Sequence, residues 1–128
     1  MLSDISNVVE GLRLTVMRNP EGNLVYLKGR LDIDSSPELR AVLLSFLQSE
    51  RQENLTVDLS EIAYIDTSGI ATLIEGLKTA RHRNLSLKLA GLHGRLLHLL
   101  QVTGVLSLFE TPAEVSEPAS RMPNGYPA

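Results

Sequence analysis

Four consecutive residues, Asp66-Thr67-Ser68-Gly69, stand directly before an apolar run with helical spacing, Ile70, Leu73, Ile74 and Leu77. A hydroxyl pair at a helix start can do one of three things. It can cap the helix, contributing roughly 1 kcal/mol. It can act as a nucleophile, given a nearby base. It can accept a phosphoryl group, since a helix N-terminus presents unpaired N–H groups and the positive end of the dipole.

The nucleophile reading is poorly supplied. The chain has three histidines and no cysteine. His82 falls near the far end of the same helix, about 20 Å from Ser68 at a rise of about 1.5 Å per residue. His93 and His98 follow the next strand, and their spacing puts them on different helical faces and makes a poor metal pair. There is no Walker-type loop and no G-x-G-x-x-G, so no cofactor or metal is expected.

Phosphorylation fits better. A charge of about −1.5 to −2 on Ser68 would sit beside Asp32 and Asp66, where a docked partner would feel the repulsion. Gly69 clears space around the hydroxyl. At 100° per residue Gly69, Thr72, Gly76 and Thr79 line up on one face, with Ser68 at its edge. That stripe is expected to lie off the buried face, so Gly76 should point away from the core. A partner is expected to dock on Asp32, Asp66, Thr67, Gly69, Thr72 and Gly76.

The elements that must position these residues follow from periodicity. Residues 12–18 alternate as a half-buried strand, 19–23 are turn chemistry, and 24–32 read as the returning strand of a hairpin. Residues 35–50 form a helix opened by Ser35 with Glu38, or by Ser36 ahead of Pro37, with Leu39, Val42, Leu43, Phe46 and Leu47 on one face. A strand at 54–60, a linker "EIAYID", a helix from about Ser68 to Arg83, a strand at 85–90, a helix at 93–104 and a short strand at 106–110 complete the chain. The fold class is α/β: a mixed four- to five-stranded sheet, an N-terminal hairpin then β-α-β-α-β-α-β, with helices mainly on one face. Loops at the carboxyl ends of parallel strands share an edge, so Asp32, Asp66 and Ser68 should meet at one rim.

Composition limits the alternatives. At 128 residues the chain suits one domain over 1–112, and the Pro-rich tail 113–128 is expected to be disordered. A net charge of −3 and 4% aromatic residues argue against a nucleic-acid partner. No secretory signal and no run of membrane-spanning length are visible, so a cytoplasmic protein without membrane insertion is expected, as a monomer or weak dimer.

Three segments resemble STAS domains, in particular the bacterial anti-sigma factor antagonists: "LKGRLDIDSSPELRAVL" (27–43), "LTVDLSEIAYIDTSGIATLI" (55–74) and "HGRLLHLLQVTGVLSLF" (93–109). The resemblance covers roughly residues 10 to 112. In that family an apolar residue, Asp, a hydroxyl residue, Ser and Gly follow a strand, and the second hydroxyl is the phosphoacceptor. It falls on Ser68, with Asp66, Thr67 and Gly69 completing the motif and the family's Leu-Asp on Leu31 and Asp32. The resemblance implies a non-enzymatic switch. Unphosphorylated antagonist binds an anti-sigma factor that is a serine kinase, which frees a sigma factor; the kinase phosphorylates the serine and a serine phosphatase reverses it. The same fold also serves stressosome scaffolds and a subunit of lipid-transport ABC complexes, which bind a partner constitutively. A Ser-dependent hydrolase is the remaining alternative.

Overall fold

The computed structural model describes residues 5–20, 22–51 and 53–109. Its strands are β1 (Ile5–Val9), β2 (Leu12–Asn19), β3 (Gly22–Leu31), β4 (Leu55–Ile65) and β5 (Leu87–Ala90). Its helices are α1 (Ser36–Leu47), α2 (Thr67–His82), α3 (Gly94–Val102) and α4 (Val105–Phe109). The strands form one mixed sheet in the order β1-β2-β3-β4-β5, antiparallel from β1 to β3 and parallel from β3 to β5. The chain reaches β4 through α1 and β5 through α2, as parallel neighbours require.

Three elements differ from the sequence expectation, each for a local reason. The first is β1, which the periodicity did not reveal. Glu10 and Gly11 both have positive φ, 48° and 83°, the two-residue turn whose twist suits a tight hairpin. The second is β4, which continues through the expected linker to Ile65. Its pairing with β3 shifts register between Tyr26/Lys28 and between Gly29/Arg30, so two extra β4 residues are accommodated. Buried positions therefore change from Leu55, Val57 and Leu59 to Ile62 and Ile65, and the strand loses its alternation. Gly29 permits the irregularity. At φ 117° it lies where an added Cβ would come within 2.2 Å of the Gly11 carbonyl oxygen.

The third difference is at 106–110, where the expected strand is instead helix α4. Gly104, at φ 78°, ends α3, and its N–H donates to the Gln101 carbonyl. Val105 and Phe109 are buried one turn apart, while Leu108 is 39% exposed. The apparent Leu106/Leu108 alternation thus had no sheet face to serve. The expected tail, 113–128, lies outside the described residues.

Burial marks one covered sheet face. Leu12, Leu14, Val16, Val25, Leu27, Leu31, Leu55, Val57 and Leu59 are buried with the inward faces of α1 and α2. Arg13, Lys28 and Lys88 stand exposed on the other face. Helix α1 buries Leu39, Leu43, Phe46 and Leu47. Helix α2 buries Ile70, Leu73, Leu77 and Ala80, together with Gly69, Thr72 and Gly76. Arg40 Nε and Glu75 Oε1, 2.8 Å apart, bridge the two helices in a solvent-exposed pair that adds little to stability.

The burial of Gly69, Thr72 and Gly76 corrects the expectation of an exposed docking stripe. The inward face of α2 is wide enough to include both the Leu/Ile row and the small residues. A Cβ at Gly76 would meet Leu43 Cδ1 at 3.0 Å and Leu87 Cδ2 at 3.1 Å. Glycine there lets α2 lie close to α1 and β5. Gly76→Leu should therefore overpack the core and lower unfolding free energy by about 1–3 kcal/mol in urea titrations. A variant as stable as the parent would show that α2 is not seated against Leu43 and Leu87.

Candidate functional site

The site begins where β3 and β4 end side by side. Leu31 and Ile65 are register partners, and the Asp66 N–H donates to the Leu31 carbonyl at 3.2 Å. Each strand then feeds a helix. The β3–α1 connection, Asp32 to Ser35, closes on itself. Asp32 Oδ1 accepts from the N–H groups of Asp34 at 3.0 Å and Ser35 at 3.2 Å, the side-chain turn that Asp readily forms. Ser35 is fully buried. Its hydroxyl donates to the Arg30 carbonyl at 2.8 Å and accepts from the Asp32 N–H at 3.0 Å. The sequence suggested a capping role for Ser35, but its side chain turns back into the loop and makes no cap bond.

Arg30 adds a charge to this loop. Its Nε lies 3.5 Å from Asp32 Oδ2, and its guanidinium stacks 4.3 Å from the ring centre of Tyr64 on β4. Burial pushes the Asp32 carboxyl up, but the Asp34 and Ser35 N–H groups, the Ser35 hydroxyl and Arg30 outweigh it. Together they hold Asp32 below its ordinary value of 3.8.

Asp66 joins the two loops. Its Oδ1 accepts from the Gly69 N–H at 3.0 Å, the N-cap bond of α2. Its Oδ2 accepts from the Ile33 N–H at 3.1 Å. One carboxylate therefore fixes the first turn of α2 and the crown of the β3–α1 loop together. Gly69 makes that approach possible. A Cβ there would stand 2.7 Å from the Leu31 carbonyl oxygen and 2.7 Å from Ile65 Cγ1.

With Asp66 as the cap, neither hydroxyl of the pair is needed for that purpose. Thr67 is exposed and Ser68 half-buried, both in the first turn of α2. The Ser68 carbonyl accepts from Thr72 Oγ1 at 3.0 Å. Its hydroxyl makes no hydrogen bond to a His, a Lys, a carboxylate or any other group among the described residues. Nor do the described residues include a cluster of three or more metal-binding side chains.

The geometry thus brings Asp32, Asp66, Thr67 and Ser68 to one sheet edge and removes Gly69, Thr72 and Gly76 from the surface. Sequence reasoning missed the loop bonds of Ser35, the bond from the Ile33 N–H to Asp66, and the Arg30–Tyr64 stack. For the Asp66 cap the signal was present: Asp is a favoured N-cap residue and stands directly before the helix. Ile33 was also overlooked; it is 68% exposed at the crown of the loop.

Two measurements check this arrangement. Asp66→Ala should cost about 1–2 kcal/mol through the lost cap, whereas Ser68→Ala should stay within about 0.5 kcal/mol of the parent. Equal losses would return the capping role to Ser68. Because folding lowers the Asp32 value, its charged form stabilises the fold above the ordinary value, and that contribution is lost as pH falls through the folded value. Between about pH 6 and about pH 3 the parent should lose more stability than Asp32→Asn does, measured by urea midpoint. Parallel losses would mean that the Asp32 loop bonds do not favour the carboxylate.

Comparison with known proteins places this geometry in a family. The protein-family model described as "Mlab, STAS domain" matches residues 14–110. An anti-sigma-B factor antagonist of Bacillus subtilis is 27% identical over 103 residues, covering 80% of this chain and 93% of the relative. One of Listeria monocytogenes is 29% identical over 86 residues, covering 67% and 75%. Among solved structures, an anti-sigma factor antagonist from Mycobacterium paratuberculosis superposes with a TM-score of 0.64 at 16% identity, over 77% of this chain and 82% of that one. A STAS domain protein from Planctomyces limnophilus gives 0.67 at 17% identity, over 75% and 86%. At these identities the structures speak for the fold alone. The mixed sheet, the Asp32 and Asp66 loops at its edge and the matched family model together place the chain in the STAS domain family, as a distant relative of bacterial anti-sigma factor antagonists.

Proposed function

We propose that the protein is an anti-sigma factor antagonist, a cytoplasmic, non-enzymatic binding module switched by phosphorylation of Ser68. The observation that carries this reading is the uncommitted Ser68 hydroxyl in the first turn of a helix already capped by Asp66. Adding a phosphoryl group there breaks no bond the fold uses. The N–H groups of Thr67 and Ser68 find no acceptor among the described residues, so the new anion meets unpaired donors and the positive end of the α2 dipole. The names of the relatives at 27–29% identity point the same way.

In this reading the unphosphorylated rim, with Asp32, Asp66 and Thr67 around Ser68, binds an anti-sigma factor that is also a serine kinase, and a sigma factor is released. The bound kinase transfers the γ-phosphoryl group of ATP to Ser68 Oγ. Its own base takes the hydroxyl proton, and ADP leaves. The charge of about −1.5 to −2 then stands among the rim carboxylates and drives the partner off by repulsion and loss of close packing. A serine phosphatase restores the hydroxyl by hydrolysis. The partner contacts the rim and the exposed side of the first turn of α2, since the small-residue face is committed to the core.

The test is intact mass after incubation with ATP and lysate of the source cell, followed by site mapping and affinity measurement against the kinase so identified. A single added phosphoryl group on Ser68 is expected, absent from Ser68→Ala, which should still bind. Phosphoprotein and Ser68→Asp should both bind more weakly, the second less so because a carboxylate carries less charge. Phosphorylation at Thr67, or equal affinity of all four forms, would overturn the switch.

A further inference from the structure

A second site lies against the end of β4 and shares Tyr64 and Ile65 with the rim. Strand β4 runs to Ile65, but β5 pairs with it only as far as Asp58. Beyond that point no strand among the described residues continues the sheet on this side. There the end of β4, the residue before α3 and α3 itself line a cavity of about 410 Å³. The volume falls within the ordinary range of small-molecule sites, about 300–1,000 Å³.

The lining has two parts. The apolar part is Ile62 from β4 with Leu96 and Leu99 from α3. Ile62 and Leu96 are buried and belong to the core cluster, so this wall is fixed. The cationic part is Arg95, with His93 beside it, both exposed at the start of α3. Neither has an ion pair or hydrogen bond from its side chain among the described residues. No Asp or Glu among the described residues lines the cavity, although the chain carries a net charge of −3. A cation in the first turn of a helix opposes the dipole, so helix stability does not explain Arg95. Ala63, Tyr64 and Ile65 complete the wall, and the Tyr64 ring already carries Arg30. Little aromatic surface is left for a flat ligand, whereas the aliphatic wall suits a flexible chain.

We propose that this cavity binds a medium-chain carboxylate, its aliphatic body against Ile62, Leu96 and Leu99 and its head on Arg95. The occupant is a free, monomeric anion. The cavity is walled by a strand and a helix and has a single cationic side, which matches one compact head on one apolar tail.

Decanoate, held below its micelle concentration, is the probe, measured by calorimetry and by methyl NMR on the full chain. Saturable binding to one site is expected, with shifts centred on Ile62, Leu96 and Leu99. Hexanoate should bind at least about tenfold more weakly, as loss of buried methylenes requires. Arg95→Glu should weaken decanoate at least about tenfold at an unchanged or raised melting temperature, since the reversed charge suits the helix dipole. Ala63→Trp, an exposed position on the cavity wall, should block binding by filling the space. Equal affinity for decyltrimethylammonium, unchanged affinity of Arg95→Glu, or shifts on the open sheet face around Lys28 would each overturn the proposal. So would binding to decanoate-bearing phosphatidylcholine vesicles without binding to monomeric decanoate.

Discussion

The carboxylate of Asp66 is the point on which the sheet edge depends. It binds the Gly69 N–H with one oxygen and the Ile33 N–H with the other, and so couples two segments more than thirty residues apart in sequence. Bonds from charged acceptors to backbone donors are among the stronger ones in proteins. Here the two donors belong to different loops, so loss of the carboxylate frees both at once. The close approach that allows this is set by Gly69, where an added Cβ would stand only 2.7 Å from the Leu31 carbonyl oxygen and from Ile65 Cγ1. Steric permission and electrostatic attraction therefore act on the same turn of α2.

Around that bond the polar groups are organised hierarchically. Ser35, with no exposure, holds the start of the loop from within, and Asp32 closes it from without. Arg30 reaches from Asp32 to the Tyr64 ring, so the third layer again links β3 to β4. These bonds define the loop at almost every residue. A rim built this way presents its exposed groups, Ile33 and Thr67 among them, in one fixed arrangement. That rigidity favours recognition by lowering the entropy lost on docking.

Much of this was legible in the sequence. Alternating Leu12-Leu14-Val16 and the one-face pattern of Leu39, Leu43, Phe46 and Leu47 identified their elements because each buries a single face. The meeting of Asp32 and Ser68 at one edge followed from the handedness of crossovers, which needs no side-chain detail. The failures share a physical cause. In β4, extra residues opposite Gly29 shift the phase of the pattern, and a test for strict alternation stops at Leu59. At Gly76, hydropathy says nothing about how closely two helices approach; a glycine facing Leu43 looks the same in sequence as one facing water. In α4, five residues are too few for periodicity to separate a helical turn from a short strand. Hydrogen-bonding partners such as Asp66 and Ile33 are joined only by the fold, and no local pattern records them.

The capping arrangement has a consequence for how the sequence can change over generations. Within the run Asp66-Thr67-Ser68-Gly69, the two outer residues carry the folding constraints and the two inner hydroxyls carry none of the bonds that close the site. Purifying selection for a folded domain acts on the outer pair. Whatever task is assigned to the hydroxyl at position 68 is maintained by a separate pressure. A duplicated copy relieved of that task could replace Ser68 and drift at that codon while Asp66 and Gly69 stayed fixed, so the scaffold can outlive any one use of its serine.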